Sequence, residues 1–456
     1  MTFARSLTVR PVDAVTRATP LTAFQSANSQ VDVIPQEAGR AAFPRWRDIA
    51  AVATPNLSFS IHNSLAAVES EWRRFERIAE GTPFQTYEWL AAWYRHIGIR
   101  DSAVPAVVVG RFAGGETAFI LPLAIDSRRA LRRLRWLGQD LCDYNAPLLS
   151  RDFSQRVTPS DFLALWRTLH GKMQSDPQLR HDWMEFEKMP ETIGAQINPF
   201  ALFELTPNAD SAHIAHFNSD WETFYRAKRS SATRRHDRSK RRRMAQFGDM
   251  RLVTAVDPND ARTTLETLMS QKSLSLARKG IPDMFARPGY RAFFLDIGSN
   301  PAARHLVHVS RIEIGATYAA ANFAIVFGDC YFHILSSHCD GRLAHFGPGA
   351  LHLRELMTHA IGRGLRRFDF TIGDERYKSE WCDERLRLYD YSAAATWRGW
   401  PSSALSAARR RLKRYIAHGV ARGVALALAL WRGVGSARLI KHSTSRSGRG
   451  FPSSAR

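Results

Sequence analysis

Cysteine is scarce in this chain. Four residues, Cys142, Cys330, Cys339 and Cys382, are scattered over 456 positions, which excludes a disulfide-built framework and points to a reducing compartment. Long apolar runs are also missing. The longest, residues 424–431 (VALALALW), falls far short of the ~20 residues that a bilayer crossing needs. The first twenty residues contain Arg5, Arg10, Asp13 and Arg17 and lack an apolar core, so no signal peptide is expected. A cytoplasmic protein is the expectation, with peripheral membrane contact open. Acidic residues are absent from position 402 onward, where twelve Lys/Arg stand.

That last absence locates the charge. The formal net charge is +21. Residues 226–243 (RAKRSSATRRHDRSKRRR) hold ten Lys/Arg and one Asp, and the tail supplies the rest. The remainder of the protein is electrically balanced, so the basicity is two local features, each suited to phosphate, nucleic acid or an anionic membrane surface. The basic run lacks the interleaved aromatics of a nucleotide-stacking platform, and nucleic acid is not the expected partner.

With 45% hydrophobic residues, the chain has the composition of a globular protein of two to four domains. Residues 1–57 are Ala-, Thr-, Pro- and Ser-rich and read as a poorly ordered extension. Strand-like alternation begins at Leu57. Helical patterns around Trp72 and Trp89 follow, with Thr86 a candidate cap for the second helix. Two strands about Gly114-Gly115 then form a predicted hairpin. Strands are also predicted at WMEFEKM and FALFEL, and one long basic helix from Trp221 to Phe247. From Asp260 the order repeats: two helices, then a hairpin about Gly315 whose second strand, TYAAANFAIVF, is as Ala-, Ile- and Phe-rich as its counterpart. The pattern predicts two copies of one α/β unit.

The second copy carries the most informative stretch, residues 345–381 (HFGPGALHLRELMTHAIGRGLRRFDFTIGDERYKSEW). Gly347-Pro348-Gly349 is a turn that feeds a helix ending near Gly364. The unpaired N–H groups at such a helix start, together with its dipole, suit phosphate or another anion. A strand, RFDF, and the polar group Gly373, Asp374, Glu375, Tyr377 and Lys378 follow. Upstream, Cys330, His333, His338 and Cys339 have a zinc-like composition. On a strand His333 faces away from Cys330 and His338, so no metal site is expected.

Trp72, Pro83-Phe84-Gln85 with Trp89, Leu137-Gly138 with Asp143-Tyr144, and Arg241-Arg242 before Gly248 resemble one half of a known family. Gly315 with Ala319-Ala320, Gly347-Pro348-Gly349 and FDFTIGDERYKSEW resemble the other half. The family is the CelD/BcsL-type bacterial acetyltransferases, associated with cellulose and exopolysaccharide biosynthesis, in the GNAT superfamily and close to the FemAB-type peptidoglycan aminoacyltransferases. The resemblance covers about residues 65–395; His345-Phe346 departs from the polar pair usual before the Gly-Pro-Gly turn.

It implies an α/β fold with a mixed sheet and tandem GNAT-like domains: an N-terminal half over 58–215, a basic linking helix over 216–250, and a C-terminal acyl-CoA domain over 251–397. A basic amphipathic helix (398–440) and a tail (441–456) would follow. The donor implied is acetyl-CoA or another acyl-CoA, with its pyrophosphate on Gly347, Gly349 and Ala350 and with Arg354 nearby. The acceptor, a small molecule or polysaccharide precursor, would meet Phe84, Gln85, Trp89, Asp143, Tyr144, His333 and Trp381. Acyl transfer needs a base, oxyanion stabilisation and an acid for the thiolate. Asp374 or Glu375 is the candidate base, Lys378 the charge stabiliser and Tyr377 the candidate acid. Peripheral membrane contact through residues 404–440 is a further expected partner; the competing expectations are a Fem-like transferase using aminoacyl-tRNA and a non-enzymatic polyanion-binding or membrane-peripheral scaffold.

Overall fold

The computed structural model describes residues 57–128 and 131–415. The expected N-terminal extension up to residue 56, the part of the C-terminal helix beyond 415 and the tail lie outside them.

The first half runs β1 (Leu57–His62), α1 (Glu69–Phe75), α2 (Tyr87–Trp93), β2 (Val104–Phe112), β3 (Thr117–Arg128), β4 (Leu131–Trp136) and β5 (Leu148–Leu149). It continues with α3 (Phe153–Arg156), α4 (Pro159–Ser175), β6 (Trp183–Pro190), β7 (Thr192–Ile193), β8 (Gln196–Ile197) and β9 (Thr206–His216). Two connecting helices follow, α5 (Trp221–Lys228) and α6 (Ser231–Met244). The second half repeats the plan: β10 (Met250–Thr254), α7 (Pro258–Arg278), α8 (Tyr290–Ser299), β11 (Val307–Ile314), β12 (Thr317–Phe327), β13 (Cys330–His338), α9 (Pro348–Gly362), β14 (Arg367–Ile372) and β15 (Glu384–Ala394). A last helix, α10, spans residues 400–415. Among the described residues no helix is long and apolar enough to cross a membrane.

Thirteen of the strands form one mixed sheet in the order β1-β2-β3-β4-β6-β15-β9-β14-β13-β12-β11-β10, with β5 on β3, and β7 and β8 pair apart from it. Read from either end, the order is the same plan met twice. The centre is an exchange: β9, from the first half, pairs with β14 of the second, and β15, from the second half, pairs with β6 of the first. Each half completes the other's sheet edge, which removes two edges that would otherwise be open to aggregation. All pairings are antiparallel except β4 with β6 and β13 with β14. Those two parallel pairs are short, Arg133–Leu134 with Trp183–Met184 and Cys330–Phe332 with Arg367–Asp369. Beyond them the strands diverge.

The helices explain why the halves stay together. α1, α2, α7 and α8 share one apolar core on one face of the sheet, with Trp72, Phe84, Trp89, Trp93, Phe293 and Phe294 inside it. Trp89 packs edge-on against Phe293 with centroids 4.9 Å apart, the preferred geometry for aromatic pairs. α4 and α9 lie over separate cores. Gly248 is required at the start of the second half: its φ is 139°, and a Cβ there would meet the Gly315 backbone at 2.7 Å.

Several local expectations are corrected. The basic segment 221–247 is two helices, because Arg229 is extended (φ −131°) and the Ser230 side chain caps α6 by accepting the Thr233 N–H. The break lets α5 lay Trp221, Phe224 and Tyr225 near Trp381 while α6 turns toward α9. FALFEL is a 3-10 turn over Pro199–Leu202 and not a strand; Asn198 accepts the Phe200 N–H and starts it. The strand lies just downstream as β9, whose TPNADSAHIAH lacks a clear apolar alternation. Thr86 occupies the N-cap of α2, but its hydroxyl donates to the Pro83 carbonyl instead of capping.

Candidate active site

The two diverging strand pairs are equivalent in topology and opposite in chemistry. In the first half Trp136 and Phe186, just beyond the β4–β6 pairing, meet at 5.3 Å, and Phe200 packs against both at 5.1 and 5.4 Å. All three are buried, so aromatic rings fill that opening. In the second half the corresponding region holds His333, Thr371, Lys378, Asp143 and Lys272, where the Lys378 charge acts on Asp143, Lys272 and His333 and Thr371 bonds Asp143.

The helix starts differ in the same sense. α4 is closed by a capping box: Thr158 accepts the Asp161 N–H while Asp161 accepts the Thr158 N–H. Its end therefore has both a partner and a negative charge. α9 has neither. Its N-cap is Gly347, left-handed at φ 70°, and no side chain caps it and no acid lies in its first turn. Gly347 and Gly349 are partly exposed and Ala350 is exposed. A positive φ of this kind favours glycine.

The surroundings of this start are cationic. A Cβ built on Gly347 would lie 3.9 Å from Lys240 Nζ, so the basic helix presents an ammonium there. Met244, at the end of α6, is buried with Leu343 and Leu351, which fixes the helix beside α9. Arg354 points away from the helix start: it is nearly buried and paired with Asp237 at 3.3 Å. Burial lowers its pKa, and the Asp237 charge opposes that.

Asp369 sits on β14 at the last paired position, opposite Phe332. It is 2% exposed. Both of its carboxylate oxygens lie 2.8 Å from the Tyr144 hydroxyl, which donates to them, and Oδ1 accepts the Thr371 N–H at 2.7 Å. Burial raises its pKa to about 7 against these hydrogen bonds, with Asp143 pushing the same way as burial. The strand is strained here: Thr371 is left-handed (φ 57°) and the register against β9 slips between Asp369 and Ile372. The bond to Asp369 offsets part of a cost of about 1–2 kcal/mol. The first half repeats the device, with Lys188 at φ 57° donating its N–H to Asp390.

Lys378 is 3% exposed. Its Nζ donates to the Ile372 carbonyl (2.9 Å) and the Thr371 carbonyl (3.4 Å) and pairs with Glu375 (2.9 Å). It therefore pins the strained turn and places a buried positive charge beside it. Asp374 and Glu375 are exposed at the rim; Asp374 is bonded to His213 of β9 (2.8 Å) and Arg385 (3.3 Å). Tyr377 is 40% exposed. Burial, then the Glu375 charge, raises its pKa above the ordinary phenol value, so it holds its proton at neutral pH.

His333 is buried against Phe368 and Phe370. Burial, with Lys272 and Lys378 nearby, lowers its pKa to about 3, so it is neutral. Asp143 is partly buried, and burial raises its pKa. Phe84, Gln85 and Trp89 lie in the inter-half core. Gln85 donates to the Tyr144 carbonyl at 2.8 Å and so sets the loop that carries Tyr144. Trp381 is buried within 6.1–6.3 Å of Trp221, Phe224 and Tyr225, and anchors the segment after Lys378.

The structure thus brings Asp143, Tyr144, His333, Asp374, Glu375, Tyr377 and Lys378 toward one region. Phe84, Gln85, Trp89 and Trp381 support it from the core. Sequence reasoning missed Asp369, Lys272 and His213. The one available signal was Asp369 itself, a lone carboxylate in the aromatic strand RFDFTI. Among the described residues no three His, Cys, Asp or Glu side chains gather as a metal site.

With this geometry in hand, the chain can be set beside known proteins. Residues 231–379, from the start of α6 to Ser379, match the family model of an acetyltransferase (GNAT) domain. No curated protein matches the sequence. Among solved structures, FemX is similar at 9% identity, over 73% of this chain and 97% of that one, with a TM-score of 0.50. A conserved protein of unknown function from Bacteroides thetaiotaomicron VPI-5482 is 11% identical over 73% of this chain and 99% of its own, with a TM-score of 0.49. A tandem GNAT protein from the clavulanic acid biosynthesis pathway is 12% identical over 74% and 98%, with a TM-score of 0.38. The fold is α/β with a mixed sheet of tandem GNAT-like halves, and within it residues 231–379 are similar to a GNAT acetyltransferase domain.

Proposed function

We propose that the protein transfers an acetyl or longer acyl group from acyl-CoA to an amine or hydroxyl, using the second half alone for chemistry. One observation carries this reading: of two equivalent helix starts beside two equivalent short parallel strand pairs, α9 is uncapped, cationic and near a group of polar side chains. α4 is capped, acidic and next to an aromatic plug. An anion such as a pyrophosphate gains from the first and not from the second.

In this reading Gly349 and Ala350 offer backbone N–H groups to the pyrophosphate, with Lys240 alongside. The thioester then reaches the β13–β14 opening. A carboxylate takes the proton from the acceptor N–H or O–H as the nitrogen or oxygen attacks the carbonyl carbon. Asp369 suits this role through its pKa of about 7, close to the working pH as a general base requires. Asp374 and Glu375 at the rim are the other candidates. The buried ammonium of Lys378 stabilises the negative charge of the intermediate. Collapse breaks the C–S bond, and Tyr377, which holds its proton, supplies it to the departing thiolate.

The setting we favour is exopolysaccharide, cellulose or cell-envelope biosynthesis in the cytoplasm, in keeping with the CelD/BcsL-type resemblance. Calorimetry with CoA, acetyl-CoA and longer acyl-CoAs tests the donor; micromolar binding is expected, and no heat at millimolar ligand overturns the reading. A second reading, transfer from an aminoacyl-tRNA, is favoured by the exposed Arg235, Arg238, Arg242 and Arg243 of α6. Binding of that kind falls steeply with added salt, whereas CoA held by backbone donors loses much less.

A further inference from the structure

The last described helix is amphipathic in the inverse sense. Its inward side is polar: Ser406 and Arg410 bond Glu185 on β6, and Lys413 pairs with Asp210 on β9 at 2.7 Å. Its outward side, together with the turn before it, is apolar apart from Arg411. Trp397 is 86% exposed, Trp400 68%, Leu405 51%, Leu412 59% and Tyr415 77%. At 100° per residue, Trp400, Ala404, Leu405, Ala408, Leu412 and Tyr415 fall within one stripe of the helix. A helix that only stabilised the fold would bury that stripe and expose the charges. Apolar patches of this kind on a surface mark an interaction site.

The chemistry around the stripe identifies the partner. Arg411 is exposed within the stripe, between Trp400 and Ala404, and Arg409 is exposed at its edge, where it also lines a cleft with Glu185 and Glu187; no acidic residue occurs between position 398 and the end of the sequence. Trp400 and Tyr415 in the stripe and Trp397 just before it are residue types that settle at the headgroup level of a bilayer. Apolar residues, interfacial aromatics and exposed arginines match an anionic lipid surface, in which the apolar side chains enter the acyl boundary and the guanidiniums meet phosphates.

We propose that the 397–415 face docks the protein on anionic membrane, with α10 lying in the interface plane. The inference is independent of the acyl-CoA reading, since none of these residues belongs to the candidate active site.

The test is co-sedimentation of the full chain with vesicles of phosphatidylglycerol and phosphatidylethanolamine, and with phosphatidylcholine vesicles as the neutral arm. Binding to the anionic vesicles at least tenfold tighter than to the neutral ones is expected, weakening as salt rises. Trp400→Ser with Leu412→Ser should cut the partition at least tenfold, and Arg409→Gln and Arg411→Gln about fivefold each. All four positions are exposed, so an unchanged melting temperature in each variant shows that the fold is kept. Equal binding to neutral vesicles, or none to anionic ones, overturns the proposal. So does binding that survives the apolar double variant and is lost on Trp431→Ser, which would assign the contact to the following segment. A lipid-free dimer that Trp400→Ser dissociates would assign the face to a second copy and also overturn it.

Discussion

The Tyr144 hydroxyl donates to both carboxylate oxygens of Asp369 at 2.8 Å, across 225 positions of sequence and between the two halves of the molecule. The bond ties the loop after β4 to the last paired residue of β14. It also holds in place a buried carboxylate whose pKa burial raises to about 7.

Asp369→Asn should lower kcat/KM at least a hundredfold if this group takes the acceptor's proton. The wild-type profile should rise with a midpoint near pH 7, and Tyr144→Phe, which removes a donor to the charged form, should move that midpoint upward. Stability gives an activity-free readout. The folded-state pKa is raised, so between about pH 4 and 7 the folded chain keeps a proton that the unfolded chain has lost. This group therefore makes the wild type progressively less stable as pH rises through that window, and flat above it. The melting temperature of Asp369→Asn relative to wild type should climb from pH 5 to 7 and then level off. A constant difference would show that Asp369 titrates normally.

Ala350→Glu should separate the donor site from the fold. It introduces an acid into the first turn of α9, which has none, and so favours the helix dipole by a few tenths of a kcal/mol. The apo protein should melt at the same temperature or slightly higher. The same carboxylate repels a pyrophosphate, and the Kd for CoA should rise at least tenfold by calorimetry. Unchanged affinity would place the nucleotide elsewhere.

Lys378→Met should cost both activity and stability. It leaves the Thr371 and Ile372 carbonyls and the Glu375 carboxylate without the buried ammonium, an unsatisfied set worth about 1–3 kcal/mol. Turnover should fall more than tenfold at a temperature where the variant is still folded by circular dichroism. Turnover within a few-fold of wild type would remove Lys378 from the chemistry.

Buried histidines set the acid limit. Burial, the leading cause in each case, lowers the pKa of His308, His333 and His352 to about 3. Folded-state values below the unfolded value of about 6.5 mean that the unfolded chain takes up protons first. The stability they contribute is complete above about pH 6.5 and is lost as pH falls toward 3. His352→Gln, which can keep a polar contact to Ser310, should flatten the decline of melting temperature between pH 6.5 and 5. An unaltered slope would show that His352 is not among the groups responsible.

What the sequence determined by itself is local. Glycine at 347, the apolar spacing of α9, the apolar runs of β2, β3, β11, β12 and β13, and the repeated order of helices and hairpins all follow from turn chemistry and local pattern within a few residues. They were sufficient to expose an internal duplication and an open helix start. Tertiary structure decided the rest. TPNADSAHIAH becomes β9 only because β14 and β15 lie on either side of it. The 221–247 segment bends because Trp381 waits for α5 and Glu355 for α6. Which copy carries aromatic rings beside its short parallel pair and which carries polar side chains depends on Phe200 meeting Trp136 and Phe186, and the titration of Asp369 depends on a tyrosine from the other half. Such contacts join residues far apart in the chain, where burial and charge, not local pattern, set the outcome.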